Sequence, residues 1–219
     1  MESKKLLKET QFLVIDFETI TPKGISPQPI EVGILKINGE MIDRKAAVDW
    51  LIRPPHGLHL TRFDTEQTGI KEEELLNMPT AEQVMNKINS ICAKGEYVFI
   101  AQNARYEANI LAQHIESCPQ IKKTPIIDTI SLAKHVLPNL SNYKLNTLAN
   151  VVGEPIPKNR HRALIDCILT AKVYLKLLDI QKQKKEIKYL DELLSIAEIQ
   201  PTYNQPKQLE LIDLFDMSI

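Results

Sequence analysis

A chain of 219 residues can form one sizeable core with an appendage, or at most two small domains, and 43% hydrophobic with 25% charged residues is an ordinary globular composition. Its 27 basic and 28 acidic residues leave a formal net charge of −1, which excludes the global basicity of a polyanion-binding protein, so any nucleic-acid contact has to be local. No stretch approaches the ~18 apolar residues of a membrane span. Asp16 interrupts the short N-terminal apolar run and no small-residue cleavage site follows, so a cytoplasmic location is expected.

In chain order, a strand is predicted at 11–17 and a second at 30–37, after the Pro/Gly-bearing loop of Pro22 to Pro29. A third strand near 47–52 follows the Asn38-Gly39 turn and residues 40–46, and Pro54-Pro55 ends it. A helix at 80–93 precedes an apolar strand at 97–101, and a helix at 104–115 follows. Residues 126–136 read as a short strand or turn running into helix, 145–152 as a helix ended by Gly153, and 162–178 as a long helix. Strands first, then alternating helices and strands, predict an α/β layered sheet whose first three strands form an antiparallel meander. Residues 179–198 carry QKQKK and LDELLSIAEI, consistent with a terminal helix having one apolar face, and Pro201 and Pro206 bracket a polar segment.

Four carboxylates fall on faces that should turn inward. Asp16 and Glu18 continue the face of Phe12 and Val14 at the period of two that a strand imposes. Glu107 shares a helical stripe with Ala104, Ala108, Leu111 and Ile115, and Asp166 one with Ala163, Cys167, Thr170 and Tyr174. A carboxylate on an apolar face is costly unless compensated, and those stripes hold no Lys or Arg. A hard divalent cation bound through oxygen is the cheapest partner for several of them, which points to metal-dependent chemistry. Cys92, Cys118 and Cys167 show no metal-ligand or redox spacing and read as reduced packing residues. His56 and His59 in PPHGLHL have a spacing that could hold a metal, but their loop composition favours solvated residues, as do the surroundings of His114 and His135.

Three motifs in order carry a resemblance. D-x-E-T spans Asp16 to Thr19 at the end of an apolar strand; A-x-N-A-x-[FY]-[DE]-x-x-x-L spans Ala101 to Leu111; H-x-x-x-x-D spans His161 to Asp166. Together they resemble the DEDDh exonucleases of the ribonuclease H-like superfamily, and within it the proofreading (epsilon) type of bacterial replicative polymerases; the resemblance covers roughly residues 10 to 178. The segment Thr68 to Val84 supports it. Three positions depart from the family's habit: Glu107 stands where Asp is usual, Gln102 where His is usual, and Thr68 begins a segment that usually starts HGI.

The resemblance implies a ribonuclease H-like mixed sheet, an antiparallel meander plus parallel strands flanked by helices. It divides the chain into an exonuclease domain at 1–178, a C-terminal helical extension at 179–199 and a flexible tail at 200–219. It implies a 3′–5′ exonuclease that releases 5′-mononucleotides from single-stranded or frayed DNA 3′ ends by hydrolysis with two divalent cations, Mg²⁺ or Mn²⁺, in proofreading or repair. Asp16, Glu18, Glu107 and Asp166 would hold the ions, and His161 would be the general base. Thr19 and Asn103 would position the terminal nucleotide. Lys158, Arg160 and Arg162, which flank His161, would supply local positive charge. The alternatives are an RNA-trimming exonuclease or oligoribonuclease, since the same site cleaves both sugars, and a non-catalytic adaptor. The tail stretch Gln208-Leu209-Glu210-Leu211-Ile212-Asp213-Leu214-Phe215 is similar to peptides that bind the bacterial sliding clamp, in the register Gln208 to Ile212 or Leu211 to Phe215; it reads equally well as a segment docking on its own domain. A polymerase subunit is a further implied partner.

Overall fold

The computed structural model describes residues 4–158, 161–183 and 187–201. The elements run β1 (Gln11–Ile20), β2 (Gln28–Asn38), β3 (Met41–Leu51), α1 (Arg62–Thr68), α2 (Glu72–Leu75), α3 (Ala81–Cys92), β4 (Tyr97–Ala101) and α4 (Ala104–Ala112). They continue with α5 (Pro119–Lys123), β5 (Ile126–Asp128), α6 (Thr129–Val136), α7 (Leu145–Val152), α8 (Ala163–Lys182), α9 (Leu190–Ala197) and β6 (Glu198–Ile199). One mixed sheet has the order β3-β2-β1-β4-β5-β6. The predicted meander β1-β2-β3 is antiparallel, β1, β4 and β5 are parallel neighbours, and β6 closes the edge antiparallel to β5.

The alternation of β1 builds two cores. Phe12 and Val14 face one cluster with Tyr174 and Leu177 of α8, Leu132 of α6 and Leu148 of α7, while Leu13, Ile15 and Phe17 face the other with Ile88 of α3 and Ala108 and Leu111 of α4. Helices therefore cover both faces, which suits parallel strands buried on both sides. Gly33 of β2 allows the closest approach between layers: a Cβ there would fall against the Ala163 carbonyl carbon and the Leu164 amide. The first turn of α8 thus lies directly on the sheet, and Gly33 is itself paired with Asp16 across the β1–β2 ladder.

Three predicted elements differ most from the sequence expectation, and α1, α2 and α5 were not among those predicted. Strand β3 begins at Met41, before the predicted start near 47, because Asn38 pairs with Met41 around a tight turn in which Gly39 takes φ 60°. As an edge strand it is largely open to solvent, and its polar run MIDRKAA carries no clear alternation. Helix α4 stops at Ala112, and Ile115 packs from a short 3₁₀ turn. The single terminal helix predicted for 179–198 is instead the end of α8, then α9, then the two-residue β6, which pairs Ile199 with Ile126. Among the described residues no helix is long and apolar enough to cross a membrane.

Candidate active site

The crevice opens where β1 outruns β4. Their pairing ends at Val14 with Ile100, so Asp16 and Glu18 project beyond the last shared rung while β4 turns away into α4; ligand sites of open α/β sheets favour such points of divergence. Opposite them stands the start of α8, which contributes Asp166 in its first turn and His161 just before it. Ligating atoms of Glu18, His161 and Asp166 all lie within 4.8 Å of one another. Glu18 and Asp166 are only 8% and 5% exposed, whereas His161 is open to solvent. Asp16, half-buried, lines an adjoining groove together with Asp166.

Glu107 reaches the same crevice from the opposite layer. Its Oε1 receives a long contact of 3.5 Å from the Phe17 amide, and its Oε2 is buried with no hydrogen-bond partner among the described residues. Burial pushes this carboxyl up to about 8, against the lowering effect of that amide, and the charges of Glu18 and Asp128 add to the rise. A buried carboxylate oxygen without a donor, beside a close group of two carboxylates and an imidazole, fits a divalent cation. The same carboxylates bear on Cys167. Burial first, then Asp16, Asp166 and Glu107, hold its thiol well above the ordinary range, and it donates to the Gly33 carbonyl at 3.2 Å, as a packing cysteine would.

A network that the sequence does not reveal holds the α8 start in place. Glu31 is fully buried on β2, opposite Glu18 in the ladder, and accepts from Arg162 Nε at 2.8 Å, Arg162 Nη2 at 2.5 Å and the Ala163 amide at 2.8 Å. Arg162 is therefore tied to the sheet through Nε and Nη2, a structural use that the sequence expectation of local positive charge did not include; Arg160 lies outside the described residues. Nearby, Asp49 is pushed up to about 6 by burial and by the Glu31 carboxylate. His161 sits at φ 68°, a left-handed conformation uncommon outside glycine, just before this anchored turn. The sequence did contain one signal: a Glu inside the apolar run Ile30-Glu31-Val32 needs a buried partner.

The remaining predicted residues divide. Thr19 hydroxyl lies 2.5 Å from the Tyr106 hydroxyl, so it is tied to α4 at the crevice edge, and Tyr106 is a neighbour of the site that the motif reading left unnamed. Asn103 caps α4 through backbone at φ 62° with no side-chain capping bond, and it lines the groove beside Asp16. Gln102, the departure from His, donates to the Tyr143 carbonyl at 2.9 Å and accepts from Thr129 at 2.5 Å. Thr68 bonds to the Asp64 carbonyl and the Ile70 amide, a structural role at the end of α1. His59 bonds Glu72 at 2.6 Å, and neither it nor His56 joins a metal-ligand group among the described residues. The tail residues Gln208, Leu209, Leu211, Ile212, Leu214 and Phe215 lie outside the described residues.

Comparison with known proteins agrees with this geometry. The PolC-type DNA polymerase III of Caldanaerobacter subterraneus is 30% identical over 189 residues, covering 86% of this chain and 13% of that protein. The chain thus spans about an eighth of the length of the curated relatives it matches. Among solved structures, exonuclease X in complex with 5′-overhanging duplex DNA superposes with a TM-score of 0.64 at 21% identity, covering 84% of this chain and 98% of that one. The nuclease domain of 3′hExo, a DEDDh family member bound to rAMP, gives 0.64 at 16% identity over 82% and 96%. Both share the fold. The family model described as Exonuclease matches residues 13–174, well over half of the chain, and with this carboxylate crevice in place the chain belongs to the exonuclease family, as a DEDDh-type 3′–5′ exonuclease domain on a ribonuclease H-like fold.

Proposed function

We propose that the domain removes 5′-mononucleotides from DNA 3′ ends, in proofreading or repair. The convergence of Glu18, His161 and Asp166 to within 4.8 Å is the observation that carries this reading. Asp16, Glu18, Glu107 and Asp166 would hold two divalent cations, Mg²⁺ or Mn²⁺, which when bound supply Lewis acidity and neutralise charge at the phosphoryl group. His161 takes a proton from the attacking water onto an imidazole nitrogen; the water oxygen bonds to phosphorus, and the bond to the 3′ oxygen of the upstream nucleotide breaks. The exposed position of His161 lets it meet substrate, and the Glu31–Arg162 anchor sets its distance from Asp166. Thr19, with Tyr106, would bound the terminal nucleotide on the α4 side.

The DNA reading is supported by the polymerase relatives at 30% identity. RNA trimming is the second reading, favoured by the rAMP held in one neighbour of the same fold. The test is a nuclease assay with Mg²⁺ and Mn²⁺ on labelled single-stranded DNA, mismatched duplex and RNA, with Asp166→Ala as the control. Metal-dependent ladders from the 3′ end, absent in the variant, are expected on DNA. Faster cleavage of RNA would transfer the assignment to the second reading, and wild-type-like activity of Asp166→Ala would overturn both.

A further inference from the structure

Beside the carboxylate crevice lies a groove of about 510 Å³ lined by Asp16 and Asp166 of the crevice together with Asn103, Lys134, Tyr143 and Lys144. The two lysines come from different elements: Lys134 from the last turn of α6, and Lys144 from the cap position of α7. Both are exposed, and among the described residues neither forms an ion pair, in contrast to Lys172, held by Glu154, and Lys182, held by Glu40. Their wall is built. Gln102 of the second motif donates to the Tyr143 carbonyl at 2.9 Å, the Tyr143 hydroxyl donates to the Leu137 carbonyl at 2.9 Å, and the Lys134 ammonium lies 5.8 Å from the Tyr143 ring centroid.

We propose that this groove binds the sugar-phosphate backbone of the substrate strand on the 5′ side of the bond being cut, with Lys134 and Lys144 facing its phosphates. This rests on the exonuclease reading. An enzyme that releases one 3′-terminal nucleotide has only that nucleotide beyond the reacting phosphorus, so a second groove that shares Asp16 and Asp166 with the crevice is placed to hold the strand that remains. The charge argument agrees. A chain of net charge −1 with an acidic site has no general attraction for a polyanion, and free cations at the crevice rim supply it where it is needed. Gln102 acquires a role here: by fixing the loop that carries Tyr143 and Lys144, it ties the groove wall to the turn that presents Glu107.

The test compares the full chain with the Lys134→Ala/Lys144→Ala double variant on two substrates: a labelled single strand of about twelve nucleotides, and the p-nitrophenyl ester of thymidine 5′-phosphate, which has no upstream phosphate. On the oligonucleotide the double variant should raise KM about tenfold with kcat within about twofold, and the slope of log(kcat/KM) against log salt should shrink by about 1.4, roughly 0.7 for each phosphate contact. On the ester the variant and the parent should differ by less than about twofold, because the groove is not filled. Lys134→Arg/Lys144→Arg should restore the salt slope, since it restores the charge. Equal KM and salt slope in parent and double variant on the oligonucleotide overturn the groove while leaving the exonuclease reading intact. If the parent cleaves neither substrate, the exonuclease reading fails, and fluorescence anisotropy of the same oligonucleotide in calcium still decides the groove: weaker binding by the double variant supports it, and equal binding overturns it.

Discussion

Glu107 should make the protein, when stripped of metal, less stable as pH rises into the alkaline range. Its carboxyl is pushed up to about 8 from an ordinary 4.5, chiefly by burial. A carboxyl whose folded-state value is raised stabilises the fold fully below about 4.5, and that stabilisation is lost as pH rises through about 8. The gap corresponds to roughly 5 kcal/mol as an upper bound, since relaxation and water entry lower the real penalty. Asp49, raised to about 6, changes stability in the same direction but finishes its change earlier, and His114, lowered by burial, acts in the opposite direction only up to its ordinary value of 6.5, so Glu107 dominates the upper part of the interval between about 6 and 8.5. Urea unfolding in chelator across that interval should therefore show stability falling as pH rises. Glu107→Gln, neutral at every pH and close in shape, should flatten the fall. Saturating Mn²⁺ should remove most of it in the parent, because the ion holds the ionised form and its binding expels the proton. Stability that rises between pH 6 and 8.5 without metal, or an unchanged slope in Glu107→Gln, would refute the buried-carboxylate account.

Other outcomes follow from the same geometry. His161→Ala should lower turnover by about 10²–10⁴-fold with oligonucleotide affinity in calcium nearly unchanged, the usual contribution of a positioned general base; lost affinity with intact turnover would make it a binding residue. Arg162→Ala strands the fully buried Glu31 carboxylate and should cost about 3–5 kcal/mol in urea denaturation, a loss that adding Glu31→Gln partly recovers. Glu107→Asp should raise Mg²⁺-dependent relative to Mn²⁺-dependent cleavage, since Mg²⁺ demands stricter octahedral placement; unchanged metal preference would mean that α4 already absorbs the extra methylene. Deleting residues 206–219 should leave cleavage of short oligonucleotides intact and abolish binding to a bacterial sliding clamp in calorimetric titration, if the QLELIDLF tail is a tether; no clamp binding by the full chain would remove that partner.

The period of two placed Asp16 and Glu18 on the face of Phe12 and Val14, and the structure keeps them there because the same alternation sorts Leu13, Ile15 and Phe17 into the opposite core. Helix α8 was equally legible, since its long apolar run must be covered on most sides. Strand β3 was not: an edge strand buries little, so its polar start carries no period to read. β6 was invisible for another reason, because two residues that pair only with β5 are set by a tertiary edge and by no local propensity. Glu31 is a charge inside an apolar run, but its partner lies 131 residues away, and pairing at that range leaves no trace in spacing.

That distant pairing explains how a site drawn from both layers of the fold keeps its geometry. Asp16 and Glu18 come from a strand, Glu107 from the helix on one face, and Asp166 from the helix on the other with His161 just before its start, so relative sliding of layers would open the group. Backbone contacts oppose that sliding more rigidly than long side chains would. Gly33 brings the α8 backbone against β2 at the rung of Asp16, and the Glu31 carboxylate clamps the Ala163 amide and Arg162 one turn before Asp166. On the other face, Asp128 accepts from the Ala104 amide at 3.2 Å while capping α6, which fixes the start of α4 and hence the reach of Glu107. The starts of α8 and α4, and with them Asp166 and Glu107, are thus positioned by buried acidic residues and a glycine outside the three motifs: the motifs supply the candidate groups and these supports set their distances.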